Sequence, residues 1–230
     1  LDGLAAEFMR GGWSVKRLHR LIVLSAAYRQ AVPPNDLSAT EGGFARTPRR
    51  LSAEQLRDAI LAASGSLQLT PGGPPVWPDL PAEILQANPA FLDDNATRTK
   101  GWYPSAQEHQ SVRSVFLVQK RTVRVPFMET FDLPENSTSC ARRTGSTVAP
   151  QALSLLHSPL AVEAAQDLAR RVRQSAGSEP RAQVREVFRI TLQREPRPAE
   201  RDACLKLLER RSLPELCRAM LNLNEFAYVD

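Results

Sequence analysis

The chain has 230 residues, a hydrophobic fraction of 42% and a net charge of +5, enough apolar content for one domain of ordinary size or two small ones. No apolar run approaches the roughly 18 to 20 residues that a membrane-spanning helix needs, the longest candidate being LIVLSAAY from Leu21 to Tyr28. Of the 30 basic residues 26 are arginine, a bias that reads as a GC-rich gene, so basicity is weak evidence for a nucleic-acid partner.

The first residues, LDGLAAEFMR, carry no initiating Met, basic n-region or cleavage site, and read as the interior of a longer polypeptide. Two helical patterns between Leu4 and Gln30 are broken by Gly11, Gly12 and Trp13. Ser14 is placed to cap the second, whose Val15, Leu18, Leu21 and Ile22 form an apolar stripe. AVPPNDLSATEGGFART then reads as a long surface loop. Helix resumes in RRLSAEQLRDAILAASGSL: Ser52 caps it, Gln55 completes a capping box, Leu56, Ala59, Ile60 and Ala63 make the buried face, and Gly65 stops it.

From Thr70 to Gln110 the chain is irregular, yet Val76, Trp77, Phe91, Leu92, Trp102 and Tyr103 are anchors that a flexible linker lacks. RSVFLVQKRTVRV, from Arg113, is β-branched and favours one or two short strands. After the polar stretch FDLPENSTSCARRTGSTVAPQAL come two helices parted near Ser158 and Pro159. The last segment reads as three helices, striped by Val184, Val187, Phe188 and Leu192, then by Leu205, Leu207 and Leu208, then over Leu213 to Leu223. Phe226 and Tyr228 are expected to tuck against the core. The expected fold class is mainly α: a helical domain with long ordered loops, a short β segment and a C-terminal three-helix unit. Its stretches are helical over 1–69, loop-rich with short β over 70–147 and helical over 148–230.

The polar stretch Phe131 to Leu153 concentrates the chemistry. Residues 113 to 143 hold 6 basic against 3 acidic side chains, whereas 144 to 230 hold 13 against 11, so an anion site belongs in the former. Arg142 and Arg143 offer planar forks to a carboxylate, sulfate or phosphate, with Ser139, Ser146, Thr147, Arg113 and Arg121 around them. Free N–H groups at the next helix start would complete the cradle, with Thr147 or a neighbour as its cap. The same atoms allow a structural role, in which Arg142 and Arg143 pair with Asp132 and Glu135 or with helix-end carbonyls and the hydroxyls satisfy loop backbone.

An enzyme would need Cys140 or Ser139 as nucleophile against His19, His109 or His157, and no local spacing predicts that contact. Cys140, Cys204 and Cys217 are an odd count without CxxC or CxxCH, so no haem attaches covalently to this segment and no metal site is expected. The triplet Asp93 to Asn95 lacks the spaced acids, glycine and distal Glu of a calcium loop. Arg113, Lys120, Arg121 and Arg124 form a basic ridge that, as a strand, would put Lys120 and Arg124 on one face and Arg121 on the other, which argues against nucleic acid.

Six separated blocks occur in a familiar order: GGWSVKRLHRLIVLSAAYRQ, RRLSAEQLRDAILAASGSL, RSVFLVQKR, FDLPENSTSCARRTGSTVAPQALSLL, LQREPRPAE and LNLNEFAYVD. Together they resemble the C-terminal domain of unknown function of planctomycete-type cytochrome c multidomain proteins. The resemblance implies the C-terminal part of a large exported protein of the periplasm or cell envelope, with haem c and a second uncharacterised domain upstream. It implies that the family pattern begins before Leu1, and it carries over no catalytic residue. His157 departs from the family's usual Asn. The expected function is a noncatalytic binding or assembly domain, possible partners being the upstream cytochrome c domains and an anionic glycan. The alternatives are an enzyme acting on polysaccharide or coupled to electron transfer, and a purely structural scaffold.

Overall fold

The computed structural model describes residues 1–30, 48–69, 72–87 and 101–229. Among them the protein is mainly α, with eleven helices and a single two-stranded pairing of β1 (Arg49–Arg50) with β2 (Tyr228–Val229). The chain divides into two compact units, Leu1–Arg49 with Val229–Asp230 and Arg50–Tyr228. Residues 31–47, Phe91, Leu92 and the Asp93–Asn95 triplet lie outside the described residues.

In the smaller unit α1 (Asp2–Arg10) and α2 (Val15–Val23) are joined at Gly12 and Trp13, both in the left-handed region. The Arg17 amide donates to Ser14 Oγ at 3.3 Å, so the sequence-assigned cap is in place. Glu7 ties the hairpin by accepting from Arg10 and Arg17, and the Phe8 and Trp13 rings meet edge to face. None of residues 1–30 is buried: Val15 and Leu21 of the α2 stripe are exposed and Leu18 and Ile22 half-buried.

The larger unit is built around α7 (Pro159–Ala176), which packs against α3 (Ala53–Ser64), α6 (Ala149–His157), α8 (Pro180–Thr191) and α10 (Leu213–Leu221). Its inward face is Ala161, Ala164, Ala165, Leu168, Ala169 and Val172; the small side chains let neighbouring helices approach closely. Pro159, Pro180 and Pro198 begin α7, α8 and α9 (Pro198–Leu208), where a missing N–H costs no helical bond. Val184, Val187 and Phe188 of α8 and Leu216 and Leu221 of α10 are fully buried, each contributing about 1.5 to 3 kcal/mol. Phe226, in α11 (Asn224–Ala227), and Tyr228 complete this core.

α3 starts and stops as its sequence dictates. Ser52 and Gln55 bond reciprocally in a capping box, and Gly65 takes φ 84° while its N–H donates back into the last turn. Between α3 and α6 the described residues run through α4 (Ala82–Ala87), two 3-10 turns and α5 (Pro126–Thr130). A satellite cluster of Leu80, Trp102 and Val123 pins this excursion, with Trp77 edge to face against Trp102 and Tyr103.

The strand expected from Arg113 does not form. Ser114–Phe116 is a 3-10 turn, and only the isolated parallel bridge Val76 to Leu117 remains. Its Ser114 amide donates instead to Asp58 of α3, and Phe116 O and the Val118 amide bond the backbone of Val76. The short β segment lies elsewhere, in β1 and β2.

Candidate functional site

One face of α3 is apolar and in the core; the other carries Glu54, Arg57 and Asp58, and these side chains fix the loops. Arg57 is only 7% exposed. Its Nη1 donates to Val112 O at 2.8 Å and to Ser114 Oγ, and its Nη2 to Gln110 O at 2.6 Å. Burial pushes the Arg57 guanidinium down from its ordinary value, with Asp58 opposing. Asp58 Oδ1 accepts from both the amide and the hydroxyl of Ser114 at 2.7 Å. This polar clamp holds the Val112–Ser114 backbone that a strand ladder would otherwise need.

A second hub is Asp132. α5 ends in a Schellman turn: the Leu133 amide donates to Met128 O and the Asp132 amide to Glu129 O, with Asp132 itself at φ 62°. Glycine fills such a position without steric cost, so an aspartate here points to a use for the side chain. Its carboxylate pairs with Arg50 Nη2, accepts the Ser146 amide at 2.8 Å and takes the Ser146 hydroxyl at 2.8 Å. Buried Gln151 donates from Nε2 to Thr130 O and Ser146 Oγ, both at 3.1 Å, and accepts the Val148 amide. Burial would raise the Asp132 carboxyl, but Ser146 and Arg50 together hold it below the usual carboxylate range.

The seven residues assigned to an anion site separate into two groups. Arg143 pairs with Glu54 at 2.7 Å, Arg113 faces Asp58 at 3.7 Å, Ser146 is spent on Asp132, and the Thr147 hydroxyl meets that of Tyr228. Arg142, Arg121 and Ser139 are exposed and have no side-chain hydrogen bond or ion pair among the described residues. Asp132 and Glu135 do not pair with Arg142 and Arg143. Their partners are Arg50 and Arg124, because the left-handed turn at Asp132 turns its carboxylate toward β1. Of Thr147 and its neighbours, Val148 is the N-cap residue of α6, and Gln151 from the first turn accepts the Val148 amide.

Cys140 is exposed and its thiol donates to Arg142 O at 3.4 Å. Among the described residues no hydrogen bond joins Cys140 or Ser139 to a histidine, and no His, Cys, Asp or Glu side chains gather as a metal-ion group. Burial raises the Cys217 thiol to about 12, which keeps it protonated, and raises Cys204 as well.

No sequence pattern announces a cleft of about 500 Å³ within the larger unit. It lies between α3, α5, the α6–α7 junction and the Pro78–Pro81 segment, lined by apolar side chains, prolines and three carboxylates. Its residues are spread from position 57 to position 167, which no local motif reports.

Against known families, the model for PSD1, protein of unknown function (DUF1553), matches residues 1–208. No curated protein and no solved structure matches the chain.

Proposed function

We propose, for a chain that belongs to the family of proteins of unknown function DUF1553, a noncatalytic binding or assembly role in which the Ser139–Arg142 tip receives an anionic ligand such as an acidic glycan. The observation that carries this is the contrast within one loop. Asp132, Glu135, Arg143 and Ser146 are engaged internally, so the loop is held; Arg142, and Arg121 earlier in the chain, are exposed with no ion partner among the described residues. A rigid loop presenting an unspent guanidinium binds a carboxylate or sulfate at lower ordering cost than a mobile one.

The six-block resemblance supports placing this domain in an exported, cytochrome c-associated protein, with upstream domains of the same polypeptide as its neighbours. No helix among the described residues is long and apolar enough to cross a membrane. The scaffold reading draws on Arg113 and Arg143, which are already paired.

Thermal shifts with sulfated and carboxylated glycans, at low and high salt, separate these readings. Wild-type stabilisation that salt weakens, and that Arg142→Ala/Arg121→Ala abolishes without changing the ligand-free melting point, supports the anion site. If no glycan shifts the wild type, the anion site is wrong and the scaffold reading stands.

A further inference from the structure

We propose that the cleft beside α5 binds an amphiphilic cation, a ligand with an apolar body about the size of one ring and a protonated amine. This site goes beyond the loop tip and is independent of it.

The floor is apolar and stiff. Leu61, Phe127 and Leu160 line it together with the rings of Pro78, Pro81 and Pro126. Proline rings have few internal freedoms, so a hydrophobic ligand body settles there with little ordering of the wall. A volume of about 500 Å³ is that of a small-molecule site.

The charges around that floor are unequal. Arg57 is the one cation among its lining residues, and it is buried with its N–H groups directed to Gln110 O, Val112 O and Ser114 Oγ. Three carboxylates line the same cleft: Asp79, Glu163 and Asp167. Asp167 is matched by Arg170 at 2.9 Å. Asp79 and Glu163 are exposed and their carboxylates have no hydrogen bond or ion pair among the described residues. An anionic ligand would therefore meet a cleft whose single cation is already bonded and whose open groups repel it. A ligand ammonium would find two carboxylates unspent.

The test uses the full chain and three probes with similar bodies: 2-phenylethylamine, 2-phenylethanol and 3-phenylpropionate, each titrated and followed through backbone amide shifts. The amine is expected to bind about fivefold more tightly than the alcohol at low salt, as solvent-exposed ion pairs allow. It should move the amides of Thr130, Ser158 and Glu163, while the carboxylate is weakest. In Asp79→Asn/Glu163→Gln, both changes at exposed positions that leave the core intact, amine and alcohol should bind equally. High salt should narrow the wild-type preference in the same way. Equal binding of amine and alcohol to the wild type overturns the proposal, as does tightest binding of the carboxylate. Absence of binding by all three probes, or shifts confined to residues 139–142, overturns it too. Glycan binding through Arg142 is read by its own thermal-shift test, so the two sites fail separately.

Discussion

The helical bundle of α7, α8 and α10 and the loop stretch 101–148 are held by different forces. In the bundle, Leu168, Val172, Val184, Val187, Phe188 and Leu221 are sealed from water, and burial without direction supplies the stability. In the loops, apolar anchors such as Trp102, Val123 and Phe131 are supplemented by oriented polar contacts: Arg57 to three oxygens, Asp58 to Ser114, and Asp132 to Arg50 and Ser146. α3 belongs to both, with Leu56 and Ile60 in the core and Glu54, Arg57 and Asp58 on its other side. Apolar packing tolerates many solutions of similar volume, whereas a polar joint left half-made costs more than one never made. The loop region should therefore be the more sharply dependent on single atoms.

Leu168→Ala is the largest expected effect and the reference for that contrast. Leu168 is fully buried in the middle of α7, and its truncation should cost about 3 to 5 kcal/mol in urea unfolding. Amide exchange should quicken throughout the larger unit, because the bundle opens as a whole. Confined effects would show instead that α7 is not its common support.

Asp132 tests the other side by separating backbone from side chain. Asp132→Gly keeps the left-handed turn and loses the contacts to Arg50 and Ser146, for an expected loss of about 2 to 3 kcal/mol. Asp132→Ala should lose about 1 kcal/mol more, since alanine resists φ 62°. In both variants the faster amide exchange should stay within residues 131–148. A glycine variant as stable as the wild type would mean that the turn, and not the carboxylate, anchors the loop.

The same division sets how much could be read from the sequence. The capping box of Ser52 and Gln55, the stop at Gly65, the prolines that open α7, α8 and α9 and the stripe of α8 are local, and short-range pattern reports them. The polar joints are long-range: Arg50 lies 82 positions from Asp132 and Glu54 lies 89 from Arg143. Residue types announced a network there, but spacing could not say which arginine meets which acid. RSVFLVQKR misled for a related reason. Its β-branched composition satisfies a strand pattern, but its backbone bonds go to long-range partners, Ser114 to Asp58 of α3 and Phe116 and Val118 to Val76. Asp132 at a helix end where glycine is usual was a signal in the sequence, legible only once α5 is known to end there.

Ser52→Ala acts where the two regions meet. It removes the cap of α3 while leaving every core contact of the helix, and should cost about 1 kcal/mol. Because α3 presents Glu54, Arg57 and Asp58 from its first two turns, exchange near Ser114 should quicken along with that of α3 itself. If α3 alone responds, the loop clamp does not depend on the end of the helix.

The smallest effect concerns a polar joint inside the bundle, and pH isolates it. Arg194 donates to Glu200 through Nη1 and Nη2 at 2.8 Å and to Glu225 through Nε and Nη2, joining the turn before α9 to α11. The Arg194 side chain, with the Arg197 amide, lowers the Glu200 carboxyl from its ordinary 4.5 to about 2. A carboxyl depressed by folding adds stability that is fully present above pH 4.5 and is lost as pH falls through about 2. Solvent screening at this half-exposed site leaves it worth about 1 kcal/mol. Glu200→Gln should therefore be less stable than the wild type at pH 7 by that amount. The gap should close between pH 4.5 and 2, and added salt should shrink it at pH 7. A gap that persisted at pH 2 would come from lost hydrogen-bond geometry, and this corner of the bundle would then obey the rule of the loops.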